Sequence, residues 1–313
     1  MAERERYSVG IDIGGTHFRI GAVRPDGQVA HFRKLPSRQV FHSDAPLRDL
    51  SEYLAAYRKA LSEDGIGIDA VAIGFPATLD RERMRVLQAP NLSFMENLPV
   101  VATLSAELDL PVFIERDVTM ALCFDAKKYD VPMEGIICAF YFGTGIGNAI
   151  CIDGRPLIGR NGTAGELGHI PVDGSELPCG CGNVGCMENL AGGKYLARLQ
   201  QTRYPEASIG ELFALHGGEA PLLQFVDRMA QCVATEINIL DPDVVLLGGG
   251  VPAMEAFPRE ALTERILAHA RKPYPAENLS ILFVGDEDAK GVVGAALYAR
   301  QQLNHSADAQ RHA

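Results

Sequence analysis

The chain contains two segments of the same design, each an apolar strand, a glycine–threonine turn and a second apolar strand. The first runs from Tyr7 to Val23 and turns at Gly14, Gly15 and Thr16. The second runs from Ile136 to Ile152 and turns at Gly143, Thr144 and Gly145. Because these glycines lie between two strands, neither turn matches the common phosphate loops, in which glycines connect a strand to a helix. Two such hairpins, one at the start of each half, indicate an internally duplicated fold.

Between and after the hairpins, buried strands alternate with amphipathic helices. The predicted strands cover residues 69–75, 111–114, 243–247 and 279–284. The predicted helices cover residues 44–62, 98–108, 118–128, 208–215, 222–240, 259–270 and 289–303. This alternation is typical of layered α/β domains, whose ligands bind at the carboxyl ends of the strands.

Two aspartates follow predicted strands in this way. Asp12 ends the first strand, where it could hold the magnesium ion that accompanies ATP, while the Gly-Gly-Thr turn offers N–H groups and a hydroxyl to phosphate. The alternative is an ordinary hairpin with an aspartate in its turn. Asp117 follows the strand at 111–114, at the position expected of a general base, and the alternative role for it is helix N-cap.

A triple glycine, Gly248 to Gly250, follows the strand at 243–247. Backbone without side chains lets a flat group such as an adenosine lie close against the chain. The alternative is a plain turn between a strand and a helix.

The segment from Thr163 to Glu188 carries one histidine and three cysteines between glycines, without a sustained helical or strand period. One imidazole and three thiolates form a ligand set that closes a tetrahedral zinc site. Buried cysteines without a ligand, or a disulfide framework, are the alternatives, and the odd total of 7 cysteines argues against the second. Four protein ligands leave no open position, so we expect a structural zinc that fixes the flanking residues Glu166, His169 and Glu188. The expected ligands are His169, Cys179, Cys181 and Cys186.

Composition limits the class of partner. The chain has 313 residues, enough for two domains, and a net charge of −11, which disfavours nucleic acid and anionic membranes as partners. The segment from Met1 to Ser8 is charged and does not resemble a secretion signal, and no apolar run reaches transmembrane length. Seven cysteines, three of them in the expected metal cluster, together with the lack of an export signal indicate a reducing cytoplasm.

Five motifs stand in an order that resembles the ROK family (repressors, uncharacterised open reading frames and sugar kinases) over essentially the whole chain. They are DIGGTHFR at 12–19, GTGIG at 143–147, GELGH at 165–169, CGCGNVGCME at 179–188 and LGGGV at 247–251. The resemblance implies an α/β chain with the actin-like ATPase (ribonuclease H-like) fold, in which two duplicated lobes enclose a cleft for nucleotide and sugar. We expect the lobes at residues 1–120 and 121–289, a C-terminal helix at about 290–304 that rejoins the first lobe, and a flexible tail at 305–313.

The same resemblance implies a role for individual residues in an ATP- and Mg²⁺-dependent sugar kinase. Asp117 would be the base that takes the proton of the sugar 6-hydroxyl. The expected sugar contacts are Asn91, Arg116, Asp117, Glu166, His169 and Glu188. The expected ATP and magnesium contacts are Asp12, Gly14, Gly15, Thr16, Gly143, Thr144, Gly145, Gly248, Gly249 and Gly250. His169 would use one ring nitrogen for zinc and the other for the sugar.

The expected substrate is D-allose. Glucokinases of the family carry asparagine before the catalytic aspartate, where this chain has Arg116, so glucose is in doubt. The segments GFPA at 74–77, APNL at 89–92, RD at 116–117, GELGHIP at 165–171 and FPRE at 257–260 resemble the members that phosphorylate D-allose. Glucose, N-acetylmannosamine and fructose are the alternatives. A sugar-sensing regulator is disfavoured because Asp12 comes too early for a preceding winged helix domain, and a homodimer is expected.

Overall fold

The computed structural model describes residues 6–311, so the first five residues of the charged start and the last two residues of the predicted tail lie outside the described residues. The first part of the chain alternates strands and helices. These elements are β1 (Arg6–Ile13), β2 (His17–Val23), β3 (Val29–Pro36), α1 (Pro46–Glu63), β4 (Gly67–Phe75), β5 (Thr78–Leu79), β6 (Val86–Gln88), α2 (Val100–Leu108), β7 (Val112–Arg116) and α3 (Asp117–Lys128).

The second part repeats this alternation and adds several helices. These elements are β8 (Ile136–Phe142), β9 (Ile146–Ile152), β10 (Arg155–Pro156), α4 (Glu188–Ala191), α5 (Gly193–Arg203), α6 (Leu212–His216), α7 (Ala220–Leu240), β11 (Val244–Gly248), α8 (Arg259–His269), β12 (Ser280–Phe283) and α9 (Lys290–Arg311). No helix in the described part of the chain combines the length and the apolar character that a bilayer crossing requires.

The chain divides into two compact units. Unit 1 contains residues 1–130, 158–163 and 287–313, and unit 2 contains residues 131–157 and 164–286. The sheet of unit 1 has the strand order β3-β2-β1-β4-β7, with β1, β2 and β3 antiparallel and β1, β4 and β7 parallel. The sheet of unit 2 has the order β10-β9-β8-β11-β12 with the same directions. The duplication predicted from the two glycine hairpins is therefore confirmed.

The sheet of unit 1 has two different faces because neighbouring residues of a strand point to opposite sides. On β4, Val71 and Ile73 belong to the larger core cluster, together with Leu54 of α1 and Leu104 of α2. The alternate residues of β4 are alanines, which pack with Met120 of α3 and with alanines of α9. Small residues on this face allow close approach: a Cβ atom at Gly10 of β1 would overlap the carbonyl of Val292 in α9.

Two of the predicted boundaries change. The first unit ends after Asp130 and not at residue 120, because Met120 and Cys123 of α3 pack against Tyr298 and Ala299 of α9. Helix α9 begins at Lys290 as expected but continues to Arg311, so most of the predicted flexible tail at 305–313 is helical. The polar composition of this stretch suggested fraying, whereas it contains no proline or glycine that would end a helix.

Candidate active site and metal centre

The turn between β1 and β2 is a compact loop of unit 1. Asp12 is the last-but-one residue of β1, and its carboxylate accepts a hydrogen bond of 3.0 Å from Arg19, its partner across the β1–β2 pair. The Gly14 amide donates to the His17 carbonyl at 2.8 Å, which closes the turn. A Cβ atom at Gly291, in the first turn of α9, would lie 2.9 Å from Cβ of Asp12. The backbone of α9 therefore reaches Asp12 closely only because residue 291 is glycine.

Asn91 lies against this turn. A Cβ atom built on Gly15 would stand 3.1 Å from Cβ of Asn91 and 3.1 Å from its carbonyl oxygen. Unit 1 thus brings together a residue predicted to contact sugar and a glycine predicted to contact phosphate.

Asp117 is the first residue of α3, directly after the last residue of β7. Its Oδ1 accepts the Val118 amide at 2.8 Å, and its Cα lies 3.5 Å from the position that a Cβ atom at Gly74 of β4 would occupy. The N-cap position belongs to Arg116, which makes no side-chain capping bond. The helix-capping alternative for Asp117 therefore does not describe this junction.

Burial raises the pKa of Asp117 from the ordinary value of 3.8 to about 6, and the negative charge of Asp12 adds to the increase. The positive charge of Arg116 and the Val118 amide act in the opposite direction on this pKa. A carboxyl group with a pKa near 6 is ionised at neutral pH and is still basic enough to accept a proton efficiently.

The second glycine turn, between β8 and β9, is joined to two helices of unit 2. The amides of Gly193 and Lys194, the first residues of α5, donate to the carbonyls of Gly143 and Thr144 at 2.8 and 3.0 Å. The Glu188 carboxylate at the start of α4 accepts the Ile146 amide at 3.1 Å. A Cβ atom at Gly145 would overlap that carboxylate. Glu188, predicted to contact sugar, therefore lies against the turn predicted to contact phosphate.

The three glycines after β11 have different surroundings. A Cβ atom at Gly248 would lie 2.6 Å from Val284, and one at Gly249 would lie 2.6 Å from the Phe142 carbonyl. Gly249 also has a φ of +97°, in the region that favours glycine. A Cβ atom at Gly250 would meet nothing within 4 Å. The protein's own packing thus requires the first two glycines, and only Gly250 leaves space beside the backbone for a ligand.

The four predicted zinc ligands come together in unit 2. The ligand atoms of His169, Cys179, Cys181 and Cys186 all lie within 4.8 Å of one another. Two separations are 3.6 Å, between Cys179 Sγ and His169 Nδ1 and between Cys181 Sγ and Cys186 Sγ. Tetrahedral zinc with Zn–S bonds of about 2.3 Å and Zn–N bonds of about 2.0 Å requires ligand separations of about 3.5–3.8 Å. The donor set and these two separations are therefore those expected of a zinc site.

The chain around the ligands is fixed by backbone bonds. The Cys179 amide donates to the Asn183 carbonyl at 2.8 Å, and the Gly182 amide donates to the Cys179 carbonyl at 3.0 Å. Burial and the hydrogen bonds with Cys181 and Cys179 raise the pKa of Cys186 to about 12. A thiolate at that position needs a cation beside it, and zinc would supply that charge. The other ring nitrogen of His169, Nε2, lies 3.6 Å from the Glu166 carboxylate.

Several residues around these sites were not predicted from the sequence. Helix α5, whose first amides donate to the second glycine turn, was not predicted. Gly192 could have indicated its start, because glycine is accepted at the N-cap position of a helix. The short β5–β6 hairpin was also missed, and it carries Arg83, which pairs with Glu115 at 2.9 Å. Glu115 itself could have indicated this pair, because an acidic residue in an otherwise apolar strand needs a partner when it is buried.

Comparison with known proteins decides the family. The ROK family model matches residues 8–302, almost the whole chain. The chain belongs to the ROK family. One ROK relative, the N-acetyl-D-glucosamine kinase of Escherichia coli O6:H1 (strain CFT073), is 31% identical over 306 residues, which cover 92% of this chain and 97% of the relative.

Solved ROK structures support the same assignment. The ROK hexokinase from Thermus thermophilus superposes with a TM-score of 0.76 at 28% identity, over 96% of this chain and 99% of that one. The ROK family glucokinase from Streptomyces griseus, solved with glucose and AMPPNP, gives a TM-score of 0.72 at 25% identity, over 94% of this chain and 99% of that one. The predicted actin-like ATPase fold of the ROK proteins is confirmed.

Proposed function

We propose that this ROK family protein is an ATP-dependent kinase that phosphorylates the 6-hydroxyl of a hexose. The observation that carries the proposal is the position of Asp117 at the junction of β7 and α3, where burial and the charge of Asp12 raise its pKa to about 6. A general base is most effective when its pKa lies near the working pH. The relatives include a kinase of N-acetyl-D-glucosamine and a ROK family glucokinase solved with glucose and AMPPNP, and their activities support the same reaction.

In this reaction Asp117 accepts the proton of the sugar 6-hydroxyl while the hydroxyl oxygen forms a bond to the γ-phosphorus of ATP. The bond between that phosphorus and the β–γ bridging oxygen breaks, and ADP leaves. Such a transfer needs mainly alignment and neutralisation of charge. Magnesium bound at Asp12 would neutralise the phosphates. The phosphates would contact the two glycine turns, through Gly14, Gly15, Thr16, Gly143, Thr144 and Gly145, and the space beside Gly250 would take the adenosine.

The sugar contacts in this proposal are Asn91, Arg116, Glu166, His169 and Glu188. A structural zinc ion held by His169 and the three cysteines would keep the loop that carries Glu166 and His169 in one conformation. The Glu166 carboxylate near Nε2 of His169 would orient the imidazole, which supports the assignment of Nδ1 to the metal.

D-Allose is the hexose that we propose as substrate. It differs from glucose at the 3-hydroxyl alone, and Arg116 beside the base offers a longer, charged donor group than the asparagine of the family's glucokinases. N-Acetyl-D-glucosamine is a second candidate because the relatives at 30–31% identity are kinases of that sugar. The enzyme would act in the cytoplasm as a homodimer.

A coupled assay with Mg-ATP across a sugar panel tests the proposal by kcat/KM. The panel contains D-allose, N-acetyl-D-glucosamine, D-glucose, D-mannose, D-fructose and N-acetylmannosamine. We expect the highest kcat/KM for D-allose. A higher kcat/KM for N-acetyl-D-glucosamine would support the kinase activity and show that this sugar, and not D-allose, is the substrate. Turnover of no sugar by the folded protein would favour a sugar-sensing regulator instead.

A further inference from the structure

Arg83 and Glu115 form a buried ion pair next to the base. The Arg83 Nε–H donates to Glu115 Oε2 at 2.9 Å, and the two side chains are 10% and 0% exposed. A buried ion pair contributes little net stability, because the loss of hydration offsets the attraction between the charges. The presence of this pair is therefore better explained by the geometry that it imposes than by stability.

Glu115 fixes the backbone at the junction between β7 and α3. Its second oxygen, Oε1, accepts the amide of Arg116 at 2.8 Å, and the Tyr298 hydroxyl of α9 also bonds to this carboxylate. Arg116 is the last residue of β7, and Asp117 is the first residue of α3. The Glu115 carboxylate thus fixes the backbone amide of Arg116, the residue directly before Asp117, at the point where the chain passes from β7 to α3.

Arg83 connects this junction to two other backbone segments. Its NH1 group donates to the carbonyl of Asp80 at 3.0 Å and to that of Gly162 at 3.1 Å. Gly162 has a φ of +78°, and a Cβ atom there would lie 2.8 Å from NH1 of Arg83. Arg83 itself has a φ of +56°, a region that non-glycine residues rarely occupy. The backbone thus has a positive φ at both Arg83 and Gly162, which is uncommon for arginine and readily adopted by glycine.

We propose that Arg83 and Glu115 are positioning residues that hold Asp117 in the orientation in which it accepts the proton of the sugar hydroxyl. This inference rests on the proposed kinase function. It also assigns a role to Gly162, because the segment at 158–163 continues in sequence to Glu166 and His169. One guanidinium would therefore connect the junction that carries the base to the segment at 158–163 of the same unit.

Glu115→Gln tests the pair with a change of few atoms. A carboxylate accepts hydrogen bonds at both oxygens, whereas an amide opposes one donor, either Arg83 or the Arg116 amide, with its own NH₂ group. We expect kcat to fall about 10–100-fold while KM for the sugar changes less than about threefold. The acid limb of the kcat/KM profile should move to higher pH, because a displaced Asp117 loses the Val118 amide and the charge of Arg116. The charged groups that act on Asp117 are Asp12 from β1 and Arg116 from β7.

Arg83→Met should give the same pattern, and Arg83→Lys should recover part of kcat, because an ammonium group can pair with Glu115 but cannot make all the bonds of the guanidinium. The double variant Arg83→Met/Glu115→Gln should be less impaired than the sum of the two single effects. Glu52→Gln is the matched control, because Arg48 and Glu52 form the same Nε–carboxylate bond at 2.9 Å on the exposed face of α1. It should leave kcat, KM and the pH profile unchanged.

Hydrogen–deuterium exchange provides a measurement that does not depend on activity. Peptides that cover residues 112–120 should exchange faster in Glu115→Gln and Arg83→Met than in the wild type, and at the wild-type rate in Glu52→Gln. Lower melting temperatures with unchanged kcat, pH profile and exchange at the junction would overturn the inference. If the wild type phosphorylates no sugar, the proposed function fails, and the exchange data still decide whether the pair holds the junction. If Glu115→Gln does not fold, the Arg83 variants give the same comparison.

Discussion

Asp117 combines a position at a strand-to-helix junction with surroundings that oppose its negative charge. Burial and the charge of Asp12 raise its pKa to about 6, while Arg116 and the Val118 amide limit the increase. A plain helix-capping aspartate would have its pKa lowered by amide donors and the helix dipole. The raised pKa matches the proposed role of a base and not that of a cap. The two roles cannot be told apart from the sequence, where both are an aspartate after a strand.

The pH dependence of kcat/KM should follow the ionisation of the Asp117 carboxyl group. Only the ionised carboxylate accepts a proton, so kcat/KM for the sugar should be constant above pH 6 and fall about tenfold per pH unit below it. Rates measured from pH 5 to 9 at saturating Mg-ATP check this, with circular dichroism at each pH as the control for unfolding.

Arg116→Met should move the acid limb to higher pH, because the positive charge of Arg116 lowers the pKa of Asp117. An acid limb at the same pH in this variant, or one near pH 4 in the wild type, would show that Asp117 is not the group that titrates.

At the scale of elements, the two strand–turn–strand hairpins and most helices followed from the sequence because hydrophobic periodicity and glycine turns report local structure directly. Helix α5 was missed because its apolar positions are few, with Leu196 its fully buried residue. The β5–β6 hairpin was missed because each strand has only two or three residues. Contacts between segments far apart in sequence, such as Arg83 with Gly162, carry no local pattern at all.

The glycines after β11 offer a matched pair of substitutions. Gly249→Ala should lower the free energy of unfolding by about 1–3 kcal/mol, because alanine is strained at a positive φ and its Cβ atom would contact the Phe142 carbonyl. Gly250→Ala should leave stability within about 0.5 kcal/mol and raise KM for ATP, since its Cβ atom would enter open space proposed for adenosine.

Chemical denaturation and ATP kinetics on both variants test this contrast. Equal stability of the two variants would contradict the packing described for Gly249. An unchanged KM for ATP in Gly250→Ala would place the adenosine elsewhere.

The segment at 163–188, which carries the four proposed zinc ligands, should depend on bound zinc for its structure. Cys181→Ser is expected to lose most of the bound zinc and to loosen the segment at 163–188, because metal binding supplies folding free energy to such loops. Cys123→Ser is the control, since Cys123 lies on α3 and outside the ligand cluster.

Atomic absorption and limited proteolysis report the two effects separately. Full metal content in Cys181→Ser would remove this cysteine from the ligand set, and zinc loss in Cys123→Ser would show that metal content follows general stability.

At the scale of the whole molecule, the chain is two copies of one sheet topology with different additions. Unit 1 contains Asp12, Asn91 and Asp117, and unit 2 contains the second glycine turn, the triple glycine and the metal cluster. The sequence predicted these sets because each is a short motif whose chemistry is visible locally. The acidic net charge of −11 is compatible with small-molecule substrates, which need no extended basic surface.

The most direct test of the central claim is to identify the phosphorylated product. Wild-type protein, Mg-ATP and D-allose would be incubated, and the position of the phosphate would be determined by ³¹P and ¹³C NMR. Asp117→Asn would be studied in parallel, with sugar binding measured by calorimetry. Because ionised Asp117 opposes folding above pH 6, the asparagine variant should be at least as stable as the wild type at pH 8.

The proposed mechanism predicts a hexose 6-phosphate from the wild type, and a loss of turnover of about 10²–10⁴-fold with sugar binding retained in Asp117→Asn. Near wild-type turnover by Asp117→Asn, or a phosphate at another hydroxyl, would contradict it.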